Sequence, residues 1–211
     1  RRDFSTTLLG AGAVALAGPA QAQGQPVEGT HYVALSQPVP TSAAGKVEVI
    51  EFFWYGCPHC NAFEPQLEGW VRKLPADVAF RRVPVAFRDE PYGTHQRLYY
   101  ALEAMDLVAA MHRKVFYAIH GERARLDRLD DIVAFMLKHG VDGARFAETF
   151  KSFGVQSKAR QANQLAAAYK IDGVPALGIQ GRWFTSGALA GGNDRALAVT
   201  DFLIQRARKA G

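Results

Sequence analysis

Both cysteines of this 211-residue chain sit in one tetrapeptide, Cys57-Pro58-His59-Cys60, between an apolar run and a stretch that reads as a helix. Thiols at i and i+3 on a first helical turn share one face, within the distance a disulfide requires. A helix N-terminus offers unpaired N–H groups and partial positive charge, and both favour a thiolate. Cys57, at that mouth, is therefore predicted to be the exposed nucleophile with a depressed pKa. Cys60, a turn further in, is the buried resolving thiol. Pro58 suits the first turn because its missing N–H would be unpaired there. His59 adds positive charge beside Cys57, which stabilises the thiolate and the reduced pair and makes the disulfide a stronger oxidant.

Other uses of the pair fit less well. A disulfide between i and i+3 closes too small a loop to constrain the unfolded chain. A structural zinc takes four ligands, the sequence has no second Cys-x-x-Cys, and His59 is poorly placed to share a metal with both sulfurs. The residue pattern therefore points to redox exchange without a metal.

The elements that must hold this site follow from periodicity. Val47–Tyr55, dense in β-branched and aromatic residues, reads as a buried central strand, with a shorter strand before it in the segment His31–Ser36. A helix starts near Cys57, is kinked or re-started at Pro65, and continues through Leu67, Trp70, Val71 and Leu74. Val78–Phe87 is the next strand, whose far end Pro84 weakens. From Pro91 to Tyr169 the pattern turns helical, with about five segments marked by spacings such as Leu98/Leu102/Met105 and Met111/Val115/Ile119. Phe146, Phe150 and Phe153 read as a core stripe. Val174–Thr185 reads as a hairpin turning at Gln180-Gly181, and Asn193 caps a last helix to Ala210. The order describes an α/β sheet domain interrupted by a helical insertion.

Residues 1–22 stand apart from this pattern. Arg1-Arg2 lead an apolar stretch from about Leu8 to Ala17, and Ala20-Gln21-Ala22 closes it with small residues. That is the order of a secretory signal peptide, read by either the Sec or the twin-arginine route, so the mature chain is expected to begin near Gln23 in the periplasm. The net charge is +5, but the arginines are scattered rather than gathered, which argues against a nucleic-acid partner. His95, His112, His120 and His139 read as ordinary surface or half-buried residues. Glu64 reads either as a solvated helix-face charge or as a tuner of Cys57.

The stretch "EFFWYGCPHC", together with "GVPAL" at residues 173–177, resembles the thioredoxin superfamily and specifically the DsbA family of periplasmic thiol–disulfide oxidants. The resemblance implies a thioredoxin fold with an inserted all-helical subdomain: residues 23–90 and 155–211 would build the thioredoxin-like domain and 91–154 the insertion. It implies that Pro175 is a cis-proline facing the cysteines, and that the Val174 backbone receives an extended substrate segment. It makes Glu51 a buried acid beneath the active site, serving proton transfer to or from Cys60 with its pKa raised by desolvation. The implied activity is donation of the Cys57–Cys60 disulfide to reduced exported proteins, by a monomer without a cofactor, reoxidised by a quinone-linked, DsbB-like membrane partner. A periplasmic reductase or isomerase and a peptide-binding chaperone module are the alternative readings.

Overall fold

A computed structural model describes residues 24–209; the leader read over residues 1–22 lies outside them. The elements are β1 (Val33–Ala34), β2 (Val47–Phe53), α1 (Pro58–Val71), β3 (Val78–Pro84), α2 (Tyr92–Ala104), α3 (Val108–His120), α4 (Leu129–Lys138), α5 (Gly143–Lys151), α6 (Phe153–Ala168), β4 (Ala176–Ile179), β5 (Trp183–Ser186), α7 (Gly187–Ala190) and α8 (Asn193–Lys209). Five strands form one sheet in the order β1-β5-β4-β2-β3. β2 pairs parallel with β3 and antiparallel with β4, while β5 is antiparallel to β4 and β1.

All seven residues of β2 are buried, five of them apolar as a strand covered on both faces requires, and Glu48 and Glu51 are taken inside with them. Its side chains feed two cores. Val47 and Val49 join Phe63 and Leu67 of α1 and Leu203 of α8 on one face, while Ile50 and Phe52 pack into the larger core built with α2 to α6. The helices inserted between β3 and β4 thus cover one side of the sheet, and α1 and α8 the other. This is the thioredoxin-type α/β arrangement with a helical insertion.

Several boundaries differ from the sequence reading, each for a physical reason. β2 stops at Phe53 because the chain turns there, the Cys57 N–H donating to the Trp54 carbonyl at 3.0 Å. α1 is one helix running through Pro65, not two; Pro65 removes a single hydrogen bond, and Phe63 and Leu67 on the buried face hold the remainder. Phe153 is no part of the aromatic core stripe: it is 80% exposed and opens α6 just after its cap Ser152, whereas Phe146 and Phe150 are buried in α5. The short α7, capped by Ser186, had no periodic signal to announce it. The hairpin does turn at Gln180 and Gly181, both with positive φ (50° and 62°), the mirror-image turn that matches the strands' twist.

Candidate active site

Cys57 is itself the N-cap of α1, and its sulfur accepts from the Cys60 N–H at 3.4 Å. Pro58 follows at the first helical position, where no N–H is needed. The loop leading in is pinned from two sides. The Trp54 ring stacks on Tyr92 at 3.9 Å and lies across Gly56, where a Cβ would come within 2.3 Å of it. His120 Nε2 donates to the Tyr55 carbonyl at 2.8 Å. Opposite the sulfurs, the Val174–Pro175 peptide is cis, and the Cys57 thiol lies 3.4 Å from the Val174 carbonyl oxygen, to which it donates. β4 begins one residue later and pairs with β2 through Ala176 and Phe52, so the sheet brings residues 57 and 174 together.

The two thiols have opposite environments. Cys57 is held down to about 6 from an ordinary thiol's 9.0. A hydrogen bond from the Cys60 thiol contributes most; burial opposes it, and the Cys60 and His59 backbone N–H groups and the His59 charge add further lowering. Cys60 is fully buried, and desolvation pushes its thiol far up, with the Cys57 and Glu51 charges adding to the effect. Two sequence expectations need correction here. Cys57 is more enclosed than a helix-mouth thiol suggests, at 7% exposure, because the Val174–Pro175 segment sits against it. His59 points to solvent, and its charge ranks below the Cys60 thiol and the helix N–H groups as a cause of thiolate stability.

Beneath the thiols lies a buried charge cluster of which the sequence reading named Glu51 and, as one of two alternatives, Glu64. Parallel register sets Glu51 opposite Arg82 of β3. Arg82 directs its guanidinium at Glu64 of α1, with Nε at 3.0 Å and Nη2 at 2.7 Å from Oε1 and Nη2 at 3.0 Å from Oε2. Arg82 Nε is also 3.0 Å from Glu51 Oε2, a close ionic contact, yet its N–H is aimed at Glu64, and among the described residues no donor is aimed at either Glu51 oxygen. His112 of α3 lies between Glu64 Oε1 and the Tyr55 hydroxyl, 2.8 Å from each. Burial, followed by the Glu64 charge, pushes the Glu51 carboxyl up to about 8, while Arg82 pulls the other way. For Glu64 burial is outweighed by the His112 hydrogen bond and by Arg82, and its carboxyl is held below the usual range. Burial lowers His112 and raises Tyr55, leaving both uncharged near neutrality.

Glu64 is therefore no solvated helix-face charge: it is fully buried. His112 and His95 are buried too, contrary to the surface reading. A signal for His112 was present, since Val108, Met111, His112, Val115 and Phe116 follow the i, i+3, i+4, i+7, i+8 spacing of a buried stripe. Arg82 also had one, as a charge inside a strand flanked by apolar residues. Among the described residues neither His95 ring nitrogen makes a well-aligned hydrogen bond, and burial drops its pKa to about 4 against the opposing pull of Asp127. Among the described residues no three His, Cys, Asp or Glu side chains group as metal ligands.

Beside Cys57 opens a cleft of about 770 Å³ whose lining includes His59, Val174, Pro175, Phe184 and Leu189. An activated thiol at the end of an apolar cleft, with a backbone carbonyl alongside and a high-pKa partner thiol behind, suits attack by or on an extended segment carrying sulfur.

The sequence model of the DSBA-like thioredoxin domain family matches residues 48–201. The chain is 45% identical over 210 residues to the thiol:disulfide interchange protein DsbA of Bordetella pertussis, covering 97% of each. It is 41% identical over 182 residues to the protein of that name from Pseudomonas aeruginosa, covering 86% of each. The crystal structure of Pseudomonas aeruginosa DsbA superposes with a TM-score of 0.84 at 40% identity, over 88% of this chain and 96% of that one. The oxidoreductase DsbA from Xylella fastidiosa gives 0.82 at 29% identity, over 88% and 100%.

Proposed function

This chain belongs to the DSBA-like thioredoxin domain family and is a thiol:disulfide oxidoreductase, and from that premise we propose that it works as an oxidase, donating the Cys57–Cys60 disulfide to reduced exported proteins. A substrate thiolate attacks Cys57 Sγ, forming a mixed disulfide and breaking the Cys57–Cys60 bond. Cys60 leaves as a thiolate and, given its strongly raised pKa, takes up a proton, which Glu51 supplies. The substrate's second thiolate then attacks the substrate sulfur of the mixed disulfide, and Cys57 leaves as a thiolate. The substrate loses two electrons and the protein keeps them as its dithiol.

The observation that carries this reading is Cys57 standing as the N-cap of α1 with its sulfur accepting the Cys60 N–H at 3.4 Å, an arrangement that, with the Cys60 thiol, holds its pKa down to about 6. A stabilised thiolate lowers the energy of the reduced state, so the disulfide is the more oxidising, and it makes Cys57 the better leaving group in the second step. Val174 and Pro175 take the substrate segment beside the cleft. Residues 1–22 direct export to the periplasm, where a quinone-linked, DsbB-like membrane partner accepts the electrons. Residues 23–90 and 155–211 act as the catalytic domain and 91–154 as its insertion, in a monomer.

Equilibration of the Cys57/Cys60 pair with a glutathione redox buffer tests the direction of electron flow. An oxidase comes to equilibrium more oxidising than glutathione, and its reduced form resists urea better than its oxidised form. A pair more reducing than glutathione would replace the oxidase with a reductase.

A further inference from the structure

Two carboxyls and one guanidinium are buried together under the active site, and their hydrogen bonds are divided unequally. Glu64 receives Arg82 Nε and Nη2 on Oε1, Nη2 again on Oε2, and His112 on Oε1. Glu51 Oε2 lies as close to Arg82 Nε, at 3.0 Å, as Glu64 Oε1 does, yet among the described residues no donor N–H or O–H is aimed at either Glu51 oxygen. Two carboxylates buried against a single guanidinium cannot both remain ionised, so one proton is retained by the pair. The carboxyl with fewer donors keeps it.

His112 supplies the donor that breaks the tie, and its tautomer follows from its neighbours. The Tyr55 hydroxyl is a neutral phenol 2.8 Å from Nδ1, and the Glu64 carboxylate, which can only accept, is 2.8 Å from Nε2. With the imidazole uncharged, a single arrangement satisfies both contacts: the phenol donates to Nδ1, and Nε2–H donates to Glu64. The other tautomer would set two lone pairs against each other at 2.8 Å. The ring itself is fixed by an aromatic cage, edge-on to Phe53, Tyr99 and Phe116.

We propose that His112 is a positioning residue that decides which of the two buried carboxyls carries their shared proton: by donating to Glu64 it completes that carboxylate, keeps Arg82 turned toward it, and leaves the proton on Glu51. The consequence for catalysis rests on the reading of Glu51 as the proton partner of Cys60. Among the described residues, the groups that act on Glu51 fit this division. Glu64 and Glu68 of α1 add negative charge, Arg82 of β3 adds positive charge, and Cys60, Tyr55 and Tyr99 are neutral in the reduced chain. Without His112, Glu64 loses a donor and Arg82 Nε has Glu51 Oε2 already within reach, so the proton passes from Glu51 to Glu64.

The test is a pH titration of the Glu51 and Glu64 side-chain carboxyl carbons by ¹³C NMR in the reduced chain. In the unmodified protein Glu51 is protonated at pH 7 and Glu64 ionised. In His112→Phe, which keeps the aromatic packing and removes the donor, the Glu51 midpoint falls and the Glu64 midpoint rises, each by a factor of about ten or more in proton affinity, or about one pH unit. His112→Gln, whose amide still donates, restores the original order. A folded His112→Phe chain in which Glu51 keeps its midpoint overturns the proposal. If that variant does not fold, the ¹⁵N shifts of His112 in the intact chain decide instead. An Nε2–H ring at pH 7 supports the proposal, and a neutral Nδ1–H ring, which cannot donate to Glu64, overturns it. A Glu51→Gln chain that exchanges disulfides with an unchanged pH profile would remove Glu51 from the proposed mechanism, yet leave the carboxyl titrations, and His112's hold over them, standing.

Discussion

Cys57 and Cys60 differ by burial and by their place on the helix, not by chemistry. At Cys57 the sign of the pH dependence can be worked out. Its folded pKa, about 6, lies below the ordinary 9.0, so the reduced fold gains nothing from it below pH 6, gains progressively between 6 and 9, and gains fully above. Replacing the thiol in the reduced protein by Cys57→Ser should therefore be nearly neutral at pH 5. At pH 8 it should cost about 1–2 kcal/mol, a figure reduced for solvent screening of a partly enclosed sulfur. Urea unfolding at the two pH values checks this; a cost independent of pH would mean that thiolate stabilisation is not what holds the reduced form. At this scale the order of the two thiols was legible because helix position alone ranks them, while the enclosure of Cys57 by the Val174–Pro175 segment was not. The helix N–H groups and the His59 charge were both readable from position, but the Cys60 thiol, which contributes most to the thiolate, was not.

At the scale of elements, α1 and the β4–β5 hairpin set the site, and the hairpin depends on one residue. Gly181 has a φ of 62°, and a Cβ there would sit 1.8 Å from the Val39 carbonyl oxygen. That backbone cannot retreat freely, because the Val39 N–H donates to the Gly181 carbonyl at 2.7 Å while the Tyr169 hydroxyl accepts from the Gly181 N–H at 2.9 Å. Gly181→Ala should destabilise the fold by about 2–3 kcal/mol, through strain at a positive φ and overpacking against main chain. A lower urea midpoint with an unchanged slope would bear this out, and an unaltered midpoint would mean that the loop around Val39 yields. The turn was readable because Gln-Gly between apolar runs has a local cause. Its partner segment at Val39, more than a hundred residues earlier, left no trace in the hairpin's own sequence.

At the scale of the whole molecule, the cleft beside Cys57 draws on segments far apart in the chain: α1's first turn, the Val174–Pro175 peptide, β5 and α7. If it holds the polypeptide around the substrate sulfur, a charge in it should penalise large substrates selectively. Leu189→Glu is expected to slow disulfide transfer to a reduced unfolded protein by about fivefold, corresponding to about 1 kcal/mol of lost apolar contact. The rate with glutathione, too small to fill the cleft, should stay the same. Equal slowing of both would place Leu189 in support of the thiol rather than of the substrate.

The sequence by itself determined what is local or periodic: the Cys-Pro-His-Cys helix start, the buried strand before it, the run of helices and the hairpin turn. Each of these depends on backbone preference or on the spacing of apolar side chains, which a linear text preserves. Glu51 was visible as a charge in an apolar strand, and the family resemblance suggested its burial. Tertiary structure alone decided what surrounds it. Arg82 meets Glu51 through strand register, Glu64 turns inward on the face of α1, and His112 arrives from a helix some fifty residues further on to take up a position between Glu64 and Tyr55. Which of two buried carboxyls is ionised depends on donor directions over a few tenths of an ångström, and no spacing rule in one dimension encodes them.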